Sequence, residues 1–343
     1  MHRKGGEYIS MSNLHILLKE YERNRTKAEY LSRDKKEQLY HQYPRLADID
    51  LELSQISIAT AKQLLVNNDA SLLTKLNEKI AVLRKEKQDI LSSIHLTEKD
   101  LQPQYRCSVC QDTGYIQEEN AIYSVMCNCL KQRLYDLEYN KCNMANLDKQ
   151  NFKNFCFDYY STQCDEQKYK AKISPRENIE KIYAITSKFI ENFDSDTEKN
   201  LLFTGNTGLG KTFLSSCIAN EILKKGKTVL YQTASNMLDT IIDYRFGKSN
   251  VSPDMYQNLL TVDLLIIDDL GTESMNQMKF AELFNVLNTR LLQQNKKAVK
   301  TIISTNLTLQ NLFAKYDERI VSRLVGNYNI CYFFGEDIRF KTR

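Results

Sequence analysis

The feature that most constrains this chain is a glycine-rich stretch at residues 205–212. It reads Gly-Asn-Thr-Gly-Leu-Gly-Lys-Thr and matches in full the pattern GxxxxGK followed by Ser or Thr. An apolar segment, Asn200 to Thr204, precedes it, and residues 213–225 behind it have a helical pattern. A strand, a glycine turn and a helix in this order surround a phosphate with main-chain N–H groups and the positive end of a helix. The sequence therefore predicts a phosphate-binding loop rather than a chance glycine turn.

The same motif assigns roles within a nucleotide site. Lys211 is expected to reach the β- and γ-phosphates, and the hydroxyl of Thr212 is expected to bind Mg²⁺. The glycines allow the main chain to wrap closely around the phosphates. The nucleotide-binding residues predicted on this basis are Gly205, Asn206, Thr207, Gly208, Leu209, Gly210, Lys211, Thr212 and Phe213.

A second, acidic motif follows further along the chain. Residues 262–269 read Val-Asp-Leu-Leu-Ile-Ile-Asp-Asp, so that four consecutive aliphatic residues end in two carboxylates. Such a run predicts a buried parallel strand that delivers acids to the carboxyl edge of a sheet, beside the phosphates. Asp268 is expected to hold Mg²⁺ through water, and Asp269 to orient or deprotonate the attacking water. A solvated turn is the alternative, but it leaves the four aliphatic residues unexplained.

Three polar residues downstream narrow the class of enzyme. The apolar strand 301–306 ends in Asn306, whose amide is expected to sense the γ-phosphate or its water. Arg319 and Arg323 are four residues apart and share one face of a predicted helix. Two such arginines either form surface salt bridges or contact the phosphate of a neighbouring subunit, and the spacing alone leaves both open.

Four cysteines form two close pairs upstream of the phosphate-binding loop. Cys107 and Cys110 are the first pair, and Cys127 and Cys129 are the second. Four thiolates on a short, loop-rich segment can bind one tetrahedral Zn²⁺ and leave no position open for a substrate, so the predicted zinc site is structural. The alternatives are buried cysteines without a metal and a redox Cys-x-x-Cys, which needs a strand and a helix beside it.

Glycine is missing from a long N-terminal stretch, between Gly6 and Gly114, and only Pro44 and Pro103 interrupt it. Residues 11–98 are therefore expected to be mostly helical. The pattern is charged on one side and aliphatic on the other, which fits either a helical hairpin that packs on itself or an arm that binds a partner.

Charge and hydropathy exclude some classes of protein. The chain has 47 basic and 43 acidic residues, and the net charge of +4 is spread along it, so charge alone does not indicate a nucleic-acid binder. No apolar run reaches the length of a membrane span, and the start of the chain lacks the apolar stretch of a signal peptide. The expected location is the cytoplasm, without membrane association.

Changes in residue composition and pattern divide the chain into four predicted segments. They are a helical partner-binding region over 1–100, a zinc-binding module over 101–142, a linker over 143–178 and an ATPase domain over 179–343. In the last segment apolar strands alternate with helical patterns, which is typical of an α/β fold with a parallel sheet and helices on both faces.

Taken in order, the stretches GNTGLGKT, LLIIDDLGTE, TIISTN and ERIVSRL resemble the AAA+ P-loop ATPases of the DnaC/DnaI helicase-loader and IstB transposition-helper group. The upstream stretches YRCSVCQDTGYI, CNCLKQ and NFCFDYYS resemble the version of these proteins that carries a zinc knuckle. The resemblance covers residues 100–343, and it covers the N-terminal helices only by architecture.

The resemblance implies an ATP-switched loader that places a hexameric replicative DNA helicase on single-stranded DNA during initiation or restart of replication. The N-terminal region would bind the helicase, and the AAA+ domains would self-associate and grip the DNA. ATP, Mg²⁺ and Zn²⁺ are the implied cofactors. Slow, DNA-stimulated hydrolysis is expected, because Asp269 stands where many AAA+ proteins have Glu.

The resemblance also implies roles for the downstream polar residues. Asn306 corresponds to sensor 1, Arg323 to the arginine finger and Arg339 to a sensor-2-like arginine, with Arg319 beside the nucleotide. Only twenty residues follow Arg323, so the helical C-terminal lid of many AAA+ proteins is not expected.

Two other functions compete with the loader. The first is an IstB-like ATPase that helps a transposase and acts on duplex DNA. The second is a small-molecule P-loop kinase, which is disfavoured because residues 213–343 suggest neither a lid nor an acceptor pocket and because Asn306 and the arginine pair would have no role.

Overall fold

A computed structural model describes residues 5–66, 70–117, 123–138, 149–247, 254–294 and 297–340. The chain divides into two compact units, one formed by Leu18–Val125 and the other by Met1–Leu17 with Met126–Arg343. The helices are α1 Gly5–Gln42, α2 Pro44–Val66, α3 Ala70–Ser93, α4 Asn128–Glu138, α5 Glu166–Tyr169, α6 Pro175–Glu191, α7 Lys211–Lys224, α8 Ala234–Arg245, α9 Asp254–Thr261, α10 Gln277–Gln293, α11 Leu309–Lys315 and α12 Glu318–Asn327. The strands are β1 Tyr115–Gln117, β2 Ser124–Met126, β3 Asn200–Gly205, β4 Val229–Thr233, β5 Leu264–Leu270, β6 Lys300–Thr305 and β7 Tyr328–Phe333.

The unit Leu18–Val125 is mainly helical, as the glycine-free sequence predicts. Helix α2 begins at Pro44, because proline suits the first position of a helix, where its missing N–H costs no hydrogen bond. Helices α2 and α3 pack on each other through a small core that includes Ile49, Ile56 and Leu83. The amine of Lys87 adds an ion pair at 2.5 Å to Asp50. These contacts support the hairpin that packs on itself.

Several apolar side chains of this unit nevertheless stay in solvent. Leu51 and Ile58 on α2 are 59% and 55% exposed, and Val82 on α3 is 66% exposed. These helices therefore also expose apolar surface, which an arm that binds a partner would need.

The second unit contains a five-stranded sheet with the order β4-β5-β6-β3-β7. All four neighbouring pairs of strands are parallel. The predicted α/β fold of a P-loop ATPase is confirmed. In the described residues after α12, strand β7 is followed by a short 3-10 turn at Ile338–Phe340.

Side chains that alternate along the strands build two separate cores. On β3, Leu202 belongs to one core, while Leu201 and Phe203 belong to the other. The first core includes residues of α8, α9, α10 and α12, and the second includes residues of α6 and α7. Because alternate residues of a strand point to opposite faces, both faces of the sheet are covered by helices.

The end of β5 is irregular, and this irregularity positions both predicted acids. Ile267 pairs with Ile303 of β6, but Leu270 pairs with Thr305, so β5 has one residue more than its neighbour between these two pairs. The extra residue makes a bulge. Asp269 lies within it with φ +55°, in the left-handed region that few residues other than glycine adopt.

Strand β4, at one edge of the sheet, is capped by a side chain. The amide of Gln132 on α4 donates to the carbonyl oxygen of Val229 at 3.0 Å and accepts from its N–H at 2.7 Å. Nearby, Asn128 donates to the carbonyl oxygen of Gly226 at 3.0 Å. Helix α4 is thereby attached to the edge of the sheet by hydrogen bonds to main-chain groups.

None of the described helices is both long and apolar enough to span a membrane.

Candidate nucleotide site and cysteine cluster

The glycine-rich loop joins β3 directly to α7. Gly208 and Gly210 have φ of +74° and +88°, which a residue with a Cβ atom rarely adopts. Helix α7 then begins at Lys211, so its first main-chain N–H groups face out of the helix end without partners in the helix. This is the geometry that binds a phosphate at a helix N-terminus.

Lys211 is buried at the centre of this loop, where its side chain is surrounded by oxygen atoms. Its amine donates to the carbonyl oxygens of Gly205 and Asn206, both at 2.7 Å, and to the side-chain oxygen of Asn306 at 2.8 Å. Burial lowers the pKa of Lys211 to about 8, although the carboxylates of Asp269 and Asp268 act in the opposite direction. The structure thus brings together a residue of the loop and the predicted sensor at the end of β6.

Asp268 accepts hydrogen bonds from three hydroxyl groups. Thr212 and Tyr231 contact its Oδ2 atom at 3.1 and 2.9 Å, and Ser304 contacts its Oδ1 atom. Hydroxyl and carboxylate oxygens are the kind of ligand that Mg²⁺ prefers. Thr212 and Asp268, whose oxygens lie 3.1 Å apart, would therefore hold the ion together, Asp268 through water.

Asp269 stands beside Asp268 but faces the cavity of the site. Its N–H donates to the hydroxyl of Ser304 at 3.1 Å, which helps to hold the bulge in place. Burial, and next the negative charge of Asp268, raise the pKa of Asp269. A carboxylate with a raised pKa is a better proton acceptor, as the expected role in activating water requires.

A cavity of about 530 Å³ lies over the loop. Ten of the residues predicted from the sequence to bind the nucleotide or to act in catalysis contribute to its wall; they are Thr207, Gly208, Leu209, Gly210, Lys211, Thr212, Phe213, Asp269, Asn306 and Arg339. The opposite part of the wall comes from residues 150–160, which the sequence analysis assigned to the linker. The residues of this segment that line the cavity are Gln150, Asn154, Phe155, Cys156, Tyr159 and Tyr160.

The wall residues from this segment, together with Tyr231 and Ser304 beside Asp268, are functional residues that were not predicted from the sequence. Tyr160 reaches the loop through its hydroxyl, which donates to the carbonyl oxygen of Leu209 at 3.0 Å. Tyr231 lies on β4, whose carboxyl end is next to that of β5. The only signal in the sequence was the aromatic-rich stretch 152–160, and it does not reveal which ring meets the loop.

The predicted arginines occupy different places. Arg339 lies in the cavity wall, and its guanidinium binds the carboxylate of Asp337, with Nε at 2.9 Å from Oδ1. Arg319 and Arg323 do not line the cavity. Arg319 is paired with Asp317, and Arg323 covers the ring of Phe284 at 4.3 Å. In this unit the two α12 arginines therefore lie apart from the nucleotide cavity of their own chain.

The four predicted zinc ligands lie together. One sulfur atom each from Cys107, Cys110, Cys127 and Cys129 falls within 4.8 Å of all the others. Tetrahedral Zn²⁺ with Zn–S bonds of about 2.3 Å places its sulfurs about 3.8 Å apart, so small adjustments would complete the site. The carboxylate of Asp112 accepts from the N–H groups of Arg106 and Cys107 at 3.0 and 2.9 Å and fixes the first turn. The donor set fits a structural zinc ion.

The sequence of the chain matches a known protein family. The family model of the IstB-like ATP binding protein matches residues 157–343. The chain is 29% identical over 142 residues to the replicative helicase loader DnaC of Escherichia coli strain K12, and 28% identical over 178 residues to DnaC of Buchnera aphidicola subsp. Acyrthosiphon pisum. Among solved structures, AMPPCP-bound DnaA from Aquifex aeolicus is similar over 57% of this chain and 53% of its own, with 22% identity and a TM-score of 0.43.

The two DnaC matches are partial. They cover 41% and 51% of this chain, and 56% and 65% of the relatives' own lengths, which is less than two thirds in both cases. The N-terminal helices and the cysteine cluster lie outside the matched family model.

Proposed function

Because the chain belongs to the family of IstB-like ATP binding proteins, of the DnaC/IstB-like AAA+ group, we propose that it is an ATP-driven loader that places a replicative DNA helicase on single-stranded DNA. The observation that carries the ATPase part is the meeting of Lys211, Thr212 and Asn306 around one cavity, with Asp268 bonded to Thr212.

Each group at this cavity has a chemical task in ATP hydrolysis. Lys211 and the N–H groups of the loop bind the phosphates, and Thr212 with Asp268 would hold Mg²⁺, which offsets the negative charge of the phosphates. Asp269 accepts a proton from the water that attacks the γ-phosphorus, while Asn306 orients that water. The γ-phosphate leaves as inorganic phosphate and ADP remains.

The loader role is supported by the similarity to DnaC and by the N-terminal part of the chain. Residues 18–125 form a compact unit of their own, which precedes the matched family model. Leu51, Ile58 and Val82 expose apolar surface on its helices, and such surface is typical of protein-binding sites. We assign the helicase contact to this unit and contacts with single-stranded DNA and with further copies of the chain to the ATPase domain. The domain limits at 100, 142 and 178 are part of the same proposal.

The predicted cytoplasmic location belongs to this proposal, since a replicative helicase and its DNA are found there. The second candidate function is that of an IstB-like helper of a transposase. It is favoured by the description of the matched family itself.

A binding experiment with the full-length chain separates the two. The tagged protein would be mixed with Mg-ATP and a lysate of its host, and the captured proteins would be identified by mass spectrometry. A variant with Leu51→Asp and Ile58→Asp would test the exposed apolar surface, and Lys211→Ala would test the need for nucleotide. We expect the replicative helicase to be captured by the wild type and lost with the double variant. Capture of a transposase, with no helicase, would refute the loader and support the helper.

Lys211→Ala also tests the ATPase part directly. The variant should lose ATP binding or hydrolysis, because no other amine reaches the three oxygens around this position in the described structure. ATP turnover that is unchanged in the purified variant would refute the site.

A further inference from the structure

Two donors from distant parts of the chain hold the outer side of the phosphate-binding loop. The hydroxyl of Tyr160 donates to the carbonyl oxygen of Leu209 at 3.0 Å, and the N–H of Ile338 donates to the carbonyl oxygen of Gly208 at 2.9 Å. Tyr160 precedes Leu209 by 49 residues, and Ile338 follows the loop after β7. The two carbonyl groups belong to consecutive peptide units.

The inner side of the loop has no such partners. Within the described part of the chain, the main-chain N–H groups of residues 207–213 donate no hydrogen bond to another protein group. Because a trans peptide is planar, its C=O and N–H bonds point in opposite directions. Fixing the carbonyl of Gly208 therefore fixes the N–H of Leu209, and fixing the carbonyl of Leu209 fixes the N–H of Gly210.

We propose that Tyr160, together with the main chain of Ile338, is a positioning residue that orients the N–H groups of Leu209 and Gly210 toward the phosphates of the nucleotide. Tyr160 does not contact the phosphates in this arrangement. It acts through the loop, by removing the freedom of two peptide units to rotate away from the anion. Donors that are oriented before binding lose less entropy when the ligand arrives.

The surroundings of Tyr160 suit this role. The side chain is only 6% exposed, and its ring is stacked with that of Phe155 at a centroid distance of 6.3 Å. Burial raises the pKa of Tyr160, so its hydroxyl stays protonated as a donor at neutral pH. A Cβ atom on Gly210 would lie 2.6 Å from the Tyr160 oxygen, so glycine at this position permits the close approach.

The inference rests on the proposed nucleotide site, and two probes distinguish its failure from the failure of that site. The probes are ATP and inorganic tripolyphosphate, each titrated with Mg²⁺ into the full-length protein by calorimetry. In Tyr160→Phe, which keeps the ring and removes the donor, we expect both affinities to fall by a similar factor of about tenfold, the equivalent of one hydrogen bond to a charged group.

Three other results of these titrations would contradict the inference. If ATP binds more weakly but tripolyphosphate binds as before, Tyr160 acts on the base or sugar, and the inference is overturned. If both affinities stay at the wild-type values, the inference is overturned while the nucleotide site stands, even when the melting temperature of the variant is lower. If the wild type binds neither probe, the proposed nucleotide function fails and the inference fails with it.

Tyr183→Phe is the matched control. Its ring packs on Phe155 and Phe157 in the same aromatic group, but it is not in the cavity wall and does not hold the loop. We expect wild-type affinity for both probes.

A second pair of variants tests the other donor. Ile338→Pro removes the N–H group and the side chain, whereas Ile338→Ala removes most of the side chain alone. Position 338 begins a 3-10 turn, where proline is tolerated. Weaker tripolyphosphate binding by Ile338→Pro than by Ile338→Ala supports the inference, and equal binding by the two variants contradicts it.

Discussion

The amine of Lys211 lies 2.8 Å from the side-chain oxygen of Asn306, and this contact joins the phosphate-binding loop to the end of β6. In the proposed nucleotide site, a γ-phosphate would replace this oxygen and two carbonyl oxygens of the loop as partners of the lysine. Lys211 and Asn306 would then contact the same phosphate, one as a cation and the other as a polar amide. The protonation of Lys211 then governs how strongly the phosphate is bound.

ATP affinity should decrease as the pH rises above about 8. The pKa of Lys211 is lowered to about 8 by burial, so the amine loses its proton above that pH in the empty site. Phosphate binding favours the charged form, and the complex must therefore take up a proton at higher pH. The limit of this effect is about tenfold in affinity per pH unit. Calorimetric titrations at pH 7, 8 and 9 measure it.

Lys211→Arg serves as the control for this pH dependence, because a guanidinium stays charged throughout the range. Its ATP affinity, whatever its value at pH 7, should change little up to pH 9. The same slope in the variant and in the wild type would show that another group is responsible.

Tyr231→Phe should weaken the binding of Mg²⁺ while ATP affinity without the metal stays close to that of the wild type. The phenol holds the Oδ2 atom of Asp268 at 2.9 Å, next to the hydroxyl of Thr212. Loss of a group that orients a metal ligand typically costs tenfold or more, so we expect about a tenfold higher Mg²⁺ concentration at half-maximal ATPase rate. Mg²⁺ titrations of the steady-state rate measure this.

The control for Tyr231→Phe is Tyr244→Phe, since the ring of Tyr244 stacks on that of Tyr256 and its hydroxyl does not hold Asp268. The role assigned to Tyr231 would be wrong if its removal lowered the maximal rate and left the Mg²⁺ dependence of that rate unchanged.

Arg323→Ala should retain ATP binding and lose the part of the ATPase rate that depends on protein concentration. Arg323 covers Phe284 and is bonded to Asn288, and it lies outside the nucleotide cavity of its own chain. It can assist hydrolysis only in a neighbouring copy, as arginine fingers do. Rates per chain measured over a range of protein concentrations test this. Normal turnover at every concentration would exclude the role in a neighbouring subunit.

Elemental analysis should find about one zinc per chain, and Cys110→Ser or Cys127→Ser should abolish it. Both residues are buried among the four clustered sulfurs. Chelation should lower the melting temperature, because a structural metal contributes to folding stability. Cys164→Ser is the control, since Cys164 is exposed and outside the cluster. If the purified wild-type protein contains no metal, the zinc prediction is wrong and these cysteines have a structural role without zinc.

The parts of the site that the sequence predicts are those encoded by local spacing. The loop from Gly205 to Thr212 and the acids at the end of β5 are recognisable because a few adjacent residues build the geometry. Tyr160 and Tyr231 are different, since they meet their partners across 49 and 37 residues of chain. Their positions depend on the order of the strands and on the packing of the aromatic segment. No periodicity within a single segment contains that information.

The contacts of the arginines could not be predicted from the sequence for a similar reason. Spacing places Arg319 and Arg323 on one helix face, but it does not tell which cavity that face adjoins. The bulge in β5 could not be predicted from the sequence either. The run of aliphatic residues before Asp268 does not indicate that Asp269 adopts a left-handed conformation.

The hydrogen bonds from the amide of Gln132, on helix α4, to Val229 of strand β4 have a consequence for solubility. A carboxamide presents an N–H donor beside a carbonyl acceptor, so the Gln132 side chain pairs with both main-chain groups of Val229 as a residue of a further strand would. An uncovered outer strand is a template on which a second chain can add its own strand and begin to aggregate. Helix α4 thus blocks strand addition at the start of β4, and a chain in which this helix detached is expected to precipitate more readily even with every residue of the nucleotide site intact.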